Sequence, residues 1–136
     1  MLGRRDFLIG CAGCALALGE GCLAVNPAPL LEADAQGTVA LEGRLKNPGD
    51  QIKVRLAGVP DPVLVWRGAQ GVKAASIVCT HRGSEVAFNA AAGTLDCPSH
   101  GSRFGQDGKV VEGPAKKPLV SYQATVEADR LTLTRA

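Results

Sequence analysis

Both histidines of this chain and two of its five cysteines fall in two short segments, Cys79-Thr80-His81-Arg82-Gly83 and Cys97-Pro98-Ser99-His100-Gly101-Ser102. Sulfur and imidazole donors repeated in this way demand a fold that brings two tight loops face to face. The surrounding sequence suits such a fold. Val39, Leu41 and Leu45 alternate with Thr38, Ala40, Glu42 and Arg44, and Ile52, Val54 and Leu56 alternate with Lys53 and Arg55; a period of two is that of half-buried strands. Asn47-Pro48-Gly49-Asp50 between them is a turn. Further strands are predicted over 63–67, 73–78, 85–88, 118–127 and 130–134, and no segment after residue 36 carries a helical stripe. The expectation is an all-β, antiparallel domain of roughly 100 residues. With a formal net charge of only +2 and no basic run interleaved with aromatics, nucleic acid is not a partner.

The N-terminus reads separately. Arg4-Arg5-Asp6-Phe7-Leu8 opens a basic start that runs into an apolar stretch ending at Gly19, the pattern of an export signal. That stretch is shorter than the ~20 residues a bilayer-spanning helix needs. Arg-Arg-x-Phe-Leu resembles a twin-arginine signal, the route for proteins exported already folded, which suits a chain carrying a preassembled prosthetic group. The expected organisation is a signal peptide over 1–24, a linker over 25–36 and one domain over 37–136. Cleavage follows Ala24 or comes as late as Ala35, and the sequence leaves both open. The expected location is periplasmic, with attachment to the outer face of the cytoplasmic membrane only through an uncleaved leader or a lipid on a leader cysteine. Removal of the leader takes Cys11, Cys14 and Cys22 with it.

Three chemistries compete for Cys79 and Cys97. A disulfide is the default for two cysteines in an oxidising compartment, but it leaves the placement of the histidines unexplained. A Cys2His2 zinc site suits both donor types, yet structural zinc sites group like ligands, whereas here each segment supplies one thiol and one imidazole. Mixed segments fit a dinuclear iron–sulfur centre with both cysteines on one iron and both histidines on the other.

These segments resemble the two boxes of the Rieske family, Cys-x-His and Cys-x-x-His. Gly113-Pro114-Ala115-Lys116-Lys117-Pro118-Leu119 resembles the family's proline loop, which covers the cluster from a third side. The resemblance runs from about Val63 to the C-terminus. It implies small stacked antiparallel sheets with a cluster-binding subdomain made of two loops. It also implies one [2Fe–2S] cluster per chain, held by Cys79 and Cys97 on the buried iron and by His81 and His100 on the outer one. Ser102 matches the family serine whose hydroxyl contacts a bridging sulfide. The position that is tyrosine in high-potential members is Phe104, which cannot donate that bond, so the implied potential is intermediate within the roughly −150 to +300 mV of such centres.

Departures from the family pattern narrow the function. Ser84 and Ser99 stand where quinol-oxidising members carry two cysteines joined by a disulfide, and Arg82 replaces an apolar residue that such members press into the quinone pocket. Quinol is therefore disfavoured as a partner. Cys-Thr-His-Arg-Gly also echoes the first box of ring-hydroxylating oxygenases, but those need a mononuclear iron with further histidines, and this chain has none to give. No catalytic site is expected beyond the cluster. The resemblance implies an exported electron-transfer protein, acting alone or as the small subunit of a periplasmic oxidoreductase, in layout similar to the small subunit of arsenite oxidase. Its partner would be cytochrome c or a larger oxidoreductase subunit. Lys109, Lys116 and Lys117 are solvated surface that can shape docking. The alternatives are the iron–sulfur subunit of a quinol–cytochrome c oxidoreductase and a metal-stabilised binding module without redox work.

Overall fold

Alternating side chains give each strand one apolar face, and the strands assemble so that those faces meet. The computed structural model describes residues 25–80, 83–99 and 101–135; the leader expected over 1–24 lies outside them. The larger sheet is built from β1 (Leu30–Glu32), β2 (Thr38–Ala40), β3 (Gln51–Arg55), β4 (Val63–Gly68), β5 (Gly71–Ser76), β10 (Ser121–Glu127) and β11 (Arg130–Arg135), in the order β1-β3-β4-β5-β10-β11-β2. A smaller sheet is the meander β6 (Ala87–Asn89), β7 (Thr94–Asp96), β8 (Arg103–Phe104) and β9 (Val110–Glu112). No helix occurs among the described residues, and so none there is long and apolar enough to cross a membrane.

One strand belongs to two cores. β4 reads Val-Leu-Val-Trp, the near-continuous apolar run of a strand covered on both faces. Val63 and Val65 point into a core with Ile52, Val54, Leu131 and Leu133, while Leu64 and Trp66 point into a second with Ile77, Leu95, Phe104 and Leu119. The second core lies between the large sheet and the meander. Trp66 locks the two together: its ring stacks on Phe88 of β6 at a centroid distance of 5.8 Å, and its indole N–H donates to Gln106 Oε1 at 3.2 Å. A tryptophan can be fully buried, as this one is, when that N–H has an acceptor.

The alternation read across 38–45 is interrupted. Glu42 and Leu45 take positive φ, 52° and 60°, and β2 stops at Ala40. Leu41 and Leu45 still enter the first core, delivered by a turn whose Leu41 N–H donates to Asp129 O at 2.8 Å. Asp129 lies in the β10–β11 hairpin, where Ala128 and Asp129 both adopt positive φ, 48° and 68°. Two left-handed residues make the hairpin turn whose twist matches its strands, but alanine is ill suited to that conformation. Ala128→Gly is expected to stabilise the domain by about 0.5–1 kcal/mol, read as a raised urea midpoint at constant slope.

Among the described residues, all strand pairings are antiparallel except β1 with β3, which is parallel with Leu30 opposite Lys53. β1 falls in the stretch 25–36, where the sequence shows no periodicity and a linker was the expectation. The structure binds this stretch to the body. Pro29 O accepts from Lys53 N at 2.8 Å, and Ala33 N donates to Arg55 O at 3.0 Å. Asn26 is 3% exposed and its amide donates to Gln51 Oε1 and to Val86 O, each at 3.0 Å. Its backbone N–H donates to Glu85 Oε1 at 2.8 Å, and Glu85 pairs with Lys53 at 3.3 Å. A side-chain network is invisible to a hydropathy pattern, which is why this attachment escapes the sequence.

Candidate metal centre

Each box is a six-residue loop with the same pattern, Cys-x-x-x-Gly-Ser, over 79–84 and 97–102. The backbone closes both in the same way. Cys79 N donates to Ser84 O at 2.7 Å and Gly83 N to Cys79 O at 3.0 Å; Cys97 N donates to Ser102 O at 2.8 Å and Gly101 N to Cys97 O at 3.0 Å. The turn needs a left-handed residue at its fifth position, and Gly83 and Gly101 supply it at φ 81° and 80°. The repeat of Gly-Ser after each Cys-x-x-x was legible as a signal of shared geometry, though at six residues it is too short to stand out as an internal repeat.

Strands fix both loops from below. β5 leads through Ile77 and Val78 into Cys79, and Val78 forms an isolated antiparallel bridge with Glu85 on the return. β7 leads into Cys97 and β8 takes the chain away from Ser102. Cys79 and Cys97 are thereby buried, at 2% and 1% exposure, in the second core beside Phe104, Ala115 and Leu119. Expected strand 85–88 is thus divided: Glu85 serves the loop, and β6 begins at Ala87.

Three hydrogen bonds, made by four hydroxyls, tie the loops to each other and to the segment 113–117. Ser84 Oγ and Ser99 Oγ are 2.6 Å apart, joining loop to loop. Ala115 N donates to Ser102 Oγ at 3.0 Å, joining the second loop to the third segment. Thr80 Oγ1 donates to Lys117 O at 2.7 Å, joining that segment back to the first loop. The result is a closed triangle of hydrogen bonds that links the two loops and the third segment pairwise. Ser84 and Ser102 are both fully buried, and burial of a hydroxyl is tolerated where it has such a partner. Sequence reasoning had marked Ser102 and the 113–119 segment; Thr80 and the backbone of Ala115 and Lys117 carry no sequence signal.

His81 and His100, with Arg82, lie outside the described residues. What the structure does place is a pair of buried cysteines at the start of two matched loops, each followed in the sequence by a histidine two or three residues later. Soft thiolate ligands with imidazoles fit iron–sulfur or zinc binding. Lys116 and Lys117 are exposed beside the first loop and Lys109 on the turn before β9, as expected of solvated surface.

Comparison with known proteins separates these. The family model described as Rieske [2Fe-2S] domain matches residues 36–123. The cytochrome b6-f complex iron-sulfur subunit of Synechococcus sp. (strain JA-3-3Ab) is 33% identical over 115 residues, 83% of this chain and 63% of that protein. The cytochrome b6-f complex iron-sulfur subunit 1 of Nostoc sp. (strain PCC 7120 / SAG 25.82 / UTEX 2576) is 41% identical over 90 residues, 65% of this chain and 50% of that protein. The chain therefore spans between half and two thirds of the length of these two curated relatives. Among solved structures, the cyanobacterial plasma membrane Rieske protein from Synechocystis PCC 6803 superposes with a TM-score of 0.58 at 31% identity, covering 71% of this chain and 97% of that one. The ferredoxin of carbazole 1,9a-dioxygenase from Nocardioides aromaticivorans IC177 gives 0.61 at 25%, covering 73% and 98%. Since the family match encloses both loops, the third segment and most of the large sheet, this chain belongs to the Rieske [2Fe–2S] domain family, whose group is a [2Fe–2S] cluster.

Proposed function

We propose that this chain is a one-electron carrier working outside the cytoplasm, with its cluster held by Cys79, His81, Cys97 and His100. The observation that carries the reading is the pair of buried thiols at equivalent positions of two identically closed loops that face each other across the Ser84–Ser99 contact. When bound, the cluster supplies reversible storage of a single electron. The protein's own residues do the rest. The second core keeps water from Cys79 and Cys97, the hydroxyl triangle fixes the distance between loops, and the 113–117 segment covers them from the side. His81 and His100 provide the neutral ligands that raise the potential of such a centre above that of an all-thiolate one. Electron paramagnetic resonance of the dithionite-reduced protein is the test: a rhombic signal below g = 2 on average, at one spin per two irons, supports the reading, and zinc or iron-free protein rejects it.

Ser102 is proposed to tune the potential. Its Oγ already accepts from Ala115 N, which leaves its own proton to donate toward a bridging sulfide. A hydrogen bond of this kind favours the more negative, reduced state. A differential of ~1 kcal/mol corresponds to roughly 40 mV for one electron, so Ser102→Ala is expected to lower the midpoint by tens of millivolts. Phe104→Tyr, which adds a donor at a fully buried ring, is expected to raise it. Protein-film voltammetry reads both, and an unchanged midpoint in each would remove hydrogen bonding as the tuning device.

The partner is proposed to be a cytochrome c or a larger oxidoreductase subunit, reached after export by the twin-arginine-type leader. The relatives named as cytochrome b6-f subunits favour a second reading, the iron–sulfur subunit of a quinol–cytochrome c oxidoreductase. Against it stand Ser84 and Ser99 at the positions of the inter-loop disulfide and Arg82 beside His81. Turnover of a quinol by membranes containing this chain, lost on its deletion, would decide for the second reading.

A further inference from the structure

We propose that Ser84 and Ser99 form a hydrogen-bonded clasp that sets the spacing of the cluster loops, a positioning pair with an unequal division of labour between its partners. The inference rests on the reading that these loops hold the cluster. The Oγ–Oγ distance of 2.6 Å, bridging positions 15 apart in sequence, is at the short end for an O–H···O bond. Ser84 ends the first loop as Ser102 ends the second, and both carbonyls accept the closing N–H of a cysteine. Their hydroxyls then diverge: that of Ser102 turns to the third segment, and that of Ser84 to the opposite loop.

Burial makes the clasp asymmetric. Ser84 is at 0% exposure, so if its partner is removed no water can replace the lost bond. Ser99 is only half-buried, and without Ser84 its hydroxyl turns to solvent. An orphaned buried hydroxyl costs its full desolvation, whereas one returned to water costs only the net bond. The more exposed serine is therefore the more expensive to lose. Once both are gone there is nothing left to orphan, so the double variant should fare no worse than Ser99→Ala alone.

The experiment compares Ser84→Ala, Ser99→Ala, Ser84→Ala/Ser99→Ala and the conservative Ser99→Thr in the full-length protein. Three quantities are read: the rate at which visible absorbance bleaches in the presence of an iron chelator, the melting temperature, and the one-electron midpoint. Ser99→Ala is expected to bleach about tenfold faster than wild type and Ser84→Ala about threefold, with the double variant at or below Ser99→Ala and Ser99→Thr near wild type. All three alanine variants should shift the midpoint downward, which mere loss of stability would not do. A larger effect for Ser84→Ala than for Ser99→Ala, additive effects in the double variant, or an unmoved midpoint overturns the proposal. If the purified protein holds no iron, the cluster reading fails on that ground, while the order of melting temperatures still tests the clasp.

Discussion

Cys97→Ser is expected to yield a colourless protein that has lost its iron while keeping most of its large sheet. Serine preserves the shape and the backbone N–H that donates to Ser102 O, so the loop can still close. What it removes is the soft, anionic sulfur, and an alkoxide-forming hydroxyl is a poor substitute for an iron–sulfur ligand. Binding of a metal group to the folded state alone is folding free energy, so the variant should also be less stable than the loaded wild type by several kcal/mol and melt at a lower temperature. The loss should be confined largely to the second core, where Cys97 sits with Leu95, Phe104 and Ala115. The first core, with Ile52, Val54, Leu131 and Leu133, contains neither Cys79 nor Cys97. Iron per chain and visible absorbance provide the measurement, with far-ultraviolet circular dichroism to show that the strands persist. Retention of iron at wild-type stoichiometry in Cys97→Ser, or in Cys79→Ser, would remove these thiols from the ligand set. Substitution of Cys22 should leave iron content unchanged and serves as the control.

Removal of residues 25–35 should rank next in effect. A domain beginning at Gln36 loses β1 from the edge of the large sheet, the Glu32–Arg55 ion pair at 3.4 Å and every bond made by Asn26. The ion pair is exposed and contributes little. Asn26 matters more, because its loss leaves Val86 O without its amide donor in a buried setting, and removes one of the donors to Gln51 Oε1, which also accepts from Phe88 N at 3.0 Å. At about 1–3 kcal/mol for each buried group left unsatisfied, Asn26→Ala alone should cost about 2–3 kcal/mol, or 10–20 °C in melting temperature for a domain of this size. Calorimetry of Asn26→Ala and of the domain starting at Gln36, both against one starting at Val25, reads these differences. Equal melting of all three would show that the segment is only resting on the surface. Of the two cleavage positions open from sequence, the one after Ala24 keeps this attachment and the one after Ala35 destroys it.

How far the sequence alone reaches is clear from particular elements. β3, β4, β10 and β11 are legible because their apolar residues alternate or run together over five to seven positions. The two loops are legible because cysteine and histidine are rare and have few reasons to be neighbours. β7, β8 and β9 are not, since strands of two or three residues carry one or two inward side chains each and leave no period to detect. β1 and Asn26 escape for another reason: their attachment is made by amides and carbonyls, which reveal a partner only in three dimensions. Ser84 and Ser99 were legible only as the two positions of a missing disulfide, and that two serines in place of two cysteines still touch follows only from the fold.

The sharing of β4 between the two halves bears on what can be transplanted. Leu64 and Trp66 are the floor on which the metal-binding lobe rests, and they alternate with Val63 and Val65 on a strand whose other face is committed elsewhere. Grafting the two boxes and their meander onto a foreign scaffold would leave that floor behind. A working graft must therefore bring β4 along, and with it a demand that the new host supply an apolar ceiling for the face the redox lobe never sees.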